Sequence, residues 1–321
     1  MRRSRDDRNA PDVAGVRLIR AAAPLVEGER FSLPTAGRAD ALDSTPMPTA
    51  FEHPEDQAQY RRPAHRAGVE LYHAHILRHS FEPHTHEAYG LGAITDGVGR
   101  FRWRGGEHLA PRATLMLMNP EDIHTGEAAT ADAWGYRMVY LDEALLSELY
   151  GGPAWRFDAA VAHDAAAATR AAALIAALWQ AREPLAFDSA LLELVQDLSR
   201  HAHRAPVRPD GAAPRFAAVI EHMRAHLDES LDTGRLAAVA GLSPFHFLRS
   251  FKAQHHATPQ QALMALRLNE AKRQLAAGQS PAQVAAAVGL TDQAHLTRSF
   301  SRRYGVTPAR YQQQLGTRPR G

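Results

Sequence analysis

The feature that most restricts the fold is an internal repeat. Ala238–Ser243 reads AVAGLS and Ala286–Thr291 reads AAVGLT. Gly241 matches Gly289 at an offset of 48, whereas Arg249-Ser250-Phe251 matches Arg298-Ser299-Phe300, and Thr258-Pro259 matches Thr307-Pro308, at an offset of 49. Three anchors in the same order describe two copies of one supersecondary unit, the second with a single extra residue ahead of its final helix.

Each copy reads as helix, tight turn, helix. In the first, Asp232 caps a short helix ending at Val239-Ala240, Gly241 supplies the turn, and Ser243 and Pro244 start the next helix. In the second, Ser280, Pro281 and Gln283 form a capped start, Gly289 turns the chain, and Thr291 or Asp292 caps the last helix. This is the helix-turn-helix pattern, whose second helix enters the DNA major groove. Between the copies, Thr258, Pro259 and Gln261 begin a helix that Gly278 ends. About 18 residues at ~1.5 Å each give about 27 Å, close to the ~34 Å repeat of B-DNA. One strut can therefore hold two recognition helices in successive grooves, so that a single chain reads two half-sites.

Charge agrees with that division. Residues 1–214 carry 23 Arg+Lys against 29 Asp+Glu, a net −6, and residues 215–321 carry 14 against 6, a net +8, which together give the +2 of the whole chain. A basic C-terminal third points to nucleic acid, with a basic solvated face as the plainer alternative. The chain has no cysteine, which excludes disulfides, thiolate metal sites and cysteine nucleophiles and suits a reducing compartment. The longest apolar run, Ala171–Trp179, falls far short of the ~18 residues of a membrane span. The start MRRSRDDRNAPD has paired arginines but no apolar stretch behind them, so it does not read as a secretory signal. A soluble, cytoplasmic protein is expected.

Ahead of the repeat the chain changes character several times. Residues 1–65, studded with prolines, read as a flexible arm. Residues 66–145 hold short strand-like runs: Val69–Leu77, Ala88–Thr95, the alternating Arg100-Phe101-Arg102-Trp103-Arg104, Thr114–Met118 and Trp134–Leu141. Turn signals at Glu82-Pro83, Asp96-Gly97, Gly105-Gly106 and Asn119-Pro120 separate them, as in a β-sandwich or small barrel. Residues 146–200 take up helical period, with one helix over Ala165–Arg182 and a second capped by Asp188. Residues 201–214, HAHRAPVRPDGAAP, read as a linker, and residues 215–315 are helical throughout.

The C-terminal hundred residues resemble the AraC/XylS transcription regulators, through DTGRLAAVAGLSPFHFLRSFKAQHHATP and LRLNEAKRQLAAGQSPAQVAAAVGLTDQAHLTRSFSRRYGVTPARY. That resemblance implies two helix-turn-helix units on promoter DNA. The residues it places in the groove are Phe245, Leu248 and Arg249 in the first copy, and Ala294, His295, Thr297 and Arg298 in the second. Arginine is the commonest bidentate partner of guanine, whereas Phe245 and Leu248 can only touch thymine methyls or else serve as extra core. Arg302, Arg303 and Arg310 read as phosphate contacts, which position without specifying sequence.

Pro83–Ala128, PHTHEAYGLGAITDGVGRFRWRGGEHLAPRATLMLMNPEDIHTGEA, resembles the cupin-like effector domain that precedes many such DNA-binding regions. The whole is then an α+β multidomain chain, a cupin-like β-barrel followed by an all-α double helix-turn-helix domain. The resemblance implies a small-molecule effector in the barrel and dimerisation through the helices after it. His84 and His86 lie two apart on a strand and so share a face, and His124 is a candidate third member from a facing strand. These three, with Trp103, are the expected effector contacts. Metal-binding cupins also supply a glutamate about four residues after the second histidine; that position is Gly90, so no metal or other cofactor is assigned. His73, His75 and His79 read as a solvated strand face. No G-x-S-x-G, phosphate-binding loop or His-Glu-x-x-His occurs. The expected partners are promoter DNA, an effector, a second copy of the chain and RNA polymerase. A metal-dependent cupin enzyme fused to a DNA-binding domain is the alternative.

Overall fold

The computed structural model describes residue 53 and residues 55–151, 155–204 and 216–317. Most of the expected arm and most of the expected linker lie outside the described residues. Where the arm is described, it contains a strand, β1 (Gln57–Arg61), paired antiparallel with β2 (Val69–Ile76). The alternation that builds it, Ala58 and Tyr60 inward, is too short to stand out among the surrounding prolines.

The other long strands are β3 (Ser80–His84), β4 (Tyr89–Asp96), β5 (Val98–Trp103), β6 (Gly106–Pro111), β7 (Leu115–Met118), β8 (His124–Ala128) and β9 (Trp134–Leu141), and two-residue strands at Trp155–Arg156 and His203–Arg204 pair separately. The long strands form two antiparallel sheets, in the orders β1-β2-β9-β4-β7, extended by a two-residue strand at Val161–Ala162, and β3-β8-β5-β6. The sheets are not hydrogen-bonded to each other, so the expected cupin-like barrel is an open, two-sheet one. Two turn assignments change accordingly. Asp96-Gly97 crosses between the sheets instead of closing a hairpin; Gly97 has φ +61°, and a Cβ there would lie 2.0 Å from the Ala133 carbonyl oxygen. The tight hairpin is β5-β6, where Arg104 and Gly105, at φ 48° and 78°, link the paired Trp103 and Gly106. Glu82-Pro83 lies inside β3 at a register shift; β3 is an edge strand, where proline costs no ladder bond.

The first sheet is buried on both faces, and strand alternation sorts its side chains. Leu71, Leu91, Val139 and Leu141 pack with Ile175, Leu178, Leu191, Leu194 and Val195 of two helices, α2 (Ala165–Gln180) and α3 (Pro184–Ser199), which follow the short α1 (Glu143–Tyr150). Tyr72, Tyr136, Met138 and Tyr140 face the other way. α3 starts four residues before the expected cap: Pro184 takes the first position, and Asp188 sits inside the helix, paired with Arg66 at 2.7 Å. His73 is not solvated. Its ring stacks on Trp179 at 4.1 Å, and burial, with Arg137 beside it, pushes its pKa down to about 3.

The C-terminal helices are α4 (Ala217–Ala225), α5 (Thr233–Val239), α6 (Pro244–His255), α7 (Pro259–Ala276), α8 (Pro281–Ala287), α9 (Gln293–Tyr304) and α10 (Pro308–Leu315). α5-α6 and α8-α9 are the two repeats. α5 and α8 end 48 residues apart and α6 and α9 begin 49 apart, so the extra residue lies in the second turn. Asp232 and Asp292 accept from the expected backbone amides, and Thr258–Gln261 and Ser280–Gln283 form full capping boxes. Phe216, Val219, Met223, Phe247 and Phe251 centre the first half of this domain.

Candidate effector site and DNA-recognition surface

β3 and β8 are neighbours in one sheet, with His84 and His124 directly opposite each other. The third histidine candidate thus comes from the adjacent strand, not a facing one. His86 follows β3 on the same side, its carbonyl accepting a 2.8 Å hydrogen bond from the Glu121 amide. The ring centroids stand 4.3 Å (His84–His124), 5.1 Å (His84–His86) and 5.3 Å (His86–His124) apart. One ring nitrogen from each lies within 4.8 Å of the others, and all three residues are buried or nearly so. The Nδ1 atoms of His84 and His124 lie 2.8 and 2.9 Å from the carbonyl oxygens of Glu82 and Asp122. A carbonyl can only accept, so each Nδ1 carries the proton and each Nε2 keeps its lone pair. Burial drives the His84 and His86 pKa values well below the ordinary imidazole range, with neighbouring imidazoles adding to the effect, and burial lowers His124 too. The three rings are therefore neutral.

Two spaces meet at this cluster. The inner one, about 30 Å³, is lined by the three histidines, Met116, Met118 and Tyr140, among others, and admits a water-sized guest. The outer one, about 420 Å³, is large enough for a small organic molecule; it opens between the sensor and α7. His86 and Tyr140 border both, their rings 4.3 Å apart. Trp103 lines neither. Its indole donates to Asp122 at 2.9 Å, and it borders a separate cleft with His124, Lys252, His256 and Gln261.

The outer cavity contains residues that sequence reasoning missed. Glu70 is buried on β2 and ion-paired to Lys272 of α7; it also pairs with Arg62 at 2.9 Å and accepts from the Tyr311 hydroxyl at 2.7 Å. Burial alone would raise the Glu70 carboxyl, but Lys272, Arg62 and these hydrogen bonds together hold it below the ordinary carboxylate range. The Lys272 ammonium stands 4.8–5.6 Å from the rings of Tyr60, Tyr140, Tyr304 and Tyr311. Asn269 of α7 donates to Thr85 at 2.7 Å and accepts from Tyr304 at 2.9 Å. A lone glutamate inside the apolar VELY strand is the one sequence signal that could have exposed this cluster.

The DNA-binding helices are thus packed on the sensor, not set apart behind a linker. Tyr60, Tyr72, Met138 and Tyr140 share one buried cluster with Leu268, Phe300, Tyr304 and Tyr311. On α6, Phe245 is 77% exposed and Leu248 40%, which excludes the extra-core alternative for both; Arg249 is exposed. On α9, Ala294, Thr297 and Arg298 line one open depression, and His295 is half-buried. Arg249 and Arg298 are both exposed, and neither has a side-chain partner among the described residues. Arg303 departs from the expected phosphate role: it is buried, donates to the Pro83 carbonyl at 3.1 Å and pairs with Glu82 at 2.7 Å. Arg302 is exposed and lies 3.3 Å from the same carboxylate.

A ligand-sized cavity joined to a repeated helix-turn-helix domain defines a ligand-responsive DNA-binding regulator. Residues 66–195 match the AraC-like ligand binding domain and residues 236–314 match a helix-turn-helix domain. The chain belongs to the AraC family of transcription regulators. It is 26% identical over 237 residues to an uncharacterized HTH-type transcriptional regulator, YbfI, of Bacillus subtilis, covering 71% of this chain and 86% of that one. It is 39% identical over 95 residues to the MmsAB operon regulatory protein of Pseudomonas aeruginosa, covering 29% of this chain and 31% of that protein. Among solved structures, a ligand-free single-residue variant of ToxT from Vibrio cholerae has the same fold, with a TM-score of 0.52 at 8% identity over 78% of this chain and 98% of that one. Among the described residues no helix is long and apolar enough to cross a membrane.

Proposed function

We propose that a small molecule entering the 420 Å³ cavity controls the DNA-binding helices directly, through the wall they share with the sensor. The observation that carries this reading is that Asn269 and Lys272 of α7, the strut between the two repeats, line the cavity beside His86, Glu70 and Tyr140. A guest there presses on the strut, and a ligand shifts an equilibrium by its differential affinity for the two states. Arg249 and Arg298 are the groove readers; Phe245, Leu248, Ala294, His295 and Thr297 complete the recognition surface, with Arg302 towards phosphate. ToxT, a relative in fold, has been solved with an unsaturated fatty acid bound. Here the cavity wall carries Arg62, Arg66, Lys272 and Arg273 beside Glu70, Glu87 and Asp142, with Lys272 and Arg62 held by Glu70, so it offers charged partners of both signs to a polar guest. The chain works without catalysis, in the cytoplasm, as a dimer through its α2-α3 layer, and in contact with RNA polymerase at the promoter.

The test is a promoter reporter read beside operator binding by the full chain. DNA affinity is expected to fall steeply with salt, log K losing about 0.9 per log unit of salt for each phosphate neutralised. Lys272→Met is expected to alter the response to effector, while Arg249→Ala weakens operator binding through one half-site and leaves the response intact. Salt-independent binding, or a Lys272→Met chain with an unaltered response, defeats the reading.

A further inference from the structure

We propose that the sensor itself takes part in DNA binding: Arg102 and Arg104 on the β5-β6 hairpin, with Lys252 on α6, hold one phosphate of the operator backbone beside the first recognition helix. The inference rests on the regulator reading for its ligand, duplex DNA, and adds a contact from outside the helix-turn-helix domain.

Four observations carry it. The tip of the β5-β6 hairpin meets the end of α6: Gly105 stands so close to His256, the residue that closes α6, that a Cβ on it would lie 2.8 Å from the imidazole Nδ1. The cleft at this junction, about 350 Å³, is bordered by Arg102, Arg104 and Lys252, and among the described residues no carboxylate borders it. The cavity beside Glu70, by contrast, mixes both signs. Arg104 is partly engaged, its guanidinium 4.3 Å over the Trp103 ring and 3.5 Å from Asp122, whereas Arg102 and Lys252 are exposed and have no side-chain partner among the described residues. Cations gathered without a counter-charge repel one another, and an anion seated between them relieves that repulsion. Lys252 also lies on the reading face of α6. It follows Phe245 by seven residues, Leu248 by four and Arg249 by three, which is one stripe of a helix, and Phe247 and Phe251 are buried on the other side.

That stripe identifies the anion. The first residues of a recognition helix meet base edges. Seven residues at ~1.5 Å each carry Lys252 about 10 Å further on, from the bases to the strand that borders a groove ~12 Å wide, and the group met there is a phosphodiester. The carboxyl end of α6 has a partial negative charge of its own, so the side chains supply the attraction. The alternating Arg100–Arg104 run is then accounted for: Phe101 and Trp103 are buried, Arg100 is taken by Glu107 and Glu127, and Arg102 is left for the backbone. A phosphate contact positions without reading sequence. Because this one comes from the sensor, any shift of the hairpin against α6 makes or breaks a DNA contact.

The experiment uses the full chain, the duplex it selects from a randomised pool, and a duplex of unrelated sequence. Arg102→Gln is expected to weaken binding to both by about 5-fold at ~0.15 M salt and about 15-fold at ~0.05 M, and to lower the slope of log K against log salt by about 0.9, the counterion-release term for one phosphate. Arg102→Lys, which keeps the charge, is expected to restore both quantities. Arg112→Gln removes an exposed arginine just past the far end of the hairpin, beyond the Val98–Pro111 pair, and is expected to leave the slope unchanged. Replacing operator phosphates one at a time by neutral methylphosphonates is expected to find a position that weakens the wild type and not Arg102→Gln. The proposal is overturned if Arg102→Gln keeps the wild-type slope, if Arg112→Gln loses as much, or if Arg102→Lys fails to restore binding, which would assign the loss to folding. Binding of inorganic phosphate that depends on Arg102, with DNA binding unchanged, would make the cleft a free-anion site and overturn it as well. A chain that binds no duplex defeats the regulator reading and this inference together; normal DNA binding by Arg102→Gln defeats this inference alone.

Discussion

The two helix-turn-helix units share a sequence pattern but not a situation. Around the first, α6 presents Phe245, Leu248 and Arg249 outward, and the sensor reaches this half through Arg224 of α4, paired with Glu121, and through the cleft beside Trp103. Around the second, α9 lies along β3, with Arg303 buried against Pro83 and Glu82 and Tyr304 over the histidine cluster. The sensor thus grips one reading head closely and leaves the other largely free. The lesson is that a repeat can duplicate a fold while burial sets its copies apart: α6 turns Phe245, Leu248 and Arg249 to solvent, and α9 is held against the sensor.

The largest expected effect comes from breaking the grip itself. Glu70→Gln leaves Lys272 buried without its partner, which costs about 3–5 kcal/mol of stability by urea unfolding. The loss is expected to follow pH as well. Because the folded-state carboxyl lies below its unfolded value, its contribution is full above about pH 4.3 and fades as pH falls further, so the wild-type advantage over Glu70→Gln shrinks in acid. A pH-independent difference would mean that packing, not the ion pair, joins the two regions.

Next come the two readers. Arg249→Ala and Arg298→Ala are each expected to cost about 1–3 kcal/mol of operator affinity, at half-sites about one helical turn apart. Binding selection from a randomised operator reports which positions relax. If the grip on α9 matters, the Arg249 loss is the same with and without effector, whereas the Arg298 loss depends on effector. Equal behaviour of the two would erase the distinction drawn above.

A third substitution tests whether the sensor's far side takes part. His73, stacked on Trp179 away from the DNA-binding helices, has a folded-state pKa of about 3 against an ordinary value near 6.5. Its neutral form stabilises the fold above that ordinary value, and the stability is lost as pH falls towards the folded one. Between about pH 7 and pH 5 the wild type should lose about 2 kcal/mol more than His73→Phe, with neither half-site affected. The smallest expected effect is that of Glu82→Gln. It frees Arg302 and loosens Arg303, costs about 1 kcal/mol or less of stability because the carboxylate is a third exposed, and raises affinity at the second half-site alone.

Much of the fold is legible in the sequence because its signals are local. Capping residues, proline at first helical positions and glycine turns placed every helix of the repeat, and the alternation in Arg100–Arg104 placed β5. The errors have a common cause. Asp96-Gly97 has the local chemistry of a hairpin, but which strands pair is decided by burial on both faces of β9 and β4, which no local pattern records. Asp188 is a good cap outcompeted by Pro184 four residues earlier. In the site, the histidine trio was legible from strand period and a family resemblance. Glu70, Asn269 and Lys272 were not, because their partners lie about 200 residues away in sequence. Arg303 was misassigned for the same reason: a basic residue on a basic helix reads as a phosphate contact until the strand beneath it is known.

The buried cluster that runs from Tyr60 and Tyr72 to Tyr304 and Tyr311 has a consequence for how the molecule comes apart. Two modules with separate interiors melt separately, each with its own transition. Here the sensor covers the tyrosines of the second half of the DNA-binding domain, so neither can lose its interior without stripping the other. Heat should then remove both in a single cooperative step, and a calorimetric trace with one peak would say that signal reception and DNA reading are one thermodynamic unit. Excising the C-terminal segment would leave those aromatic rings facing water, making the isolated fragment sticky and self-associating in a way the intact chain is not.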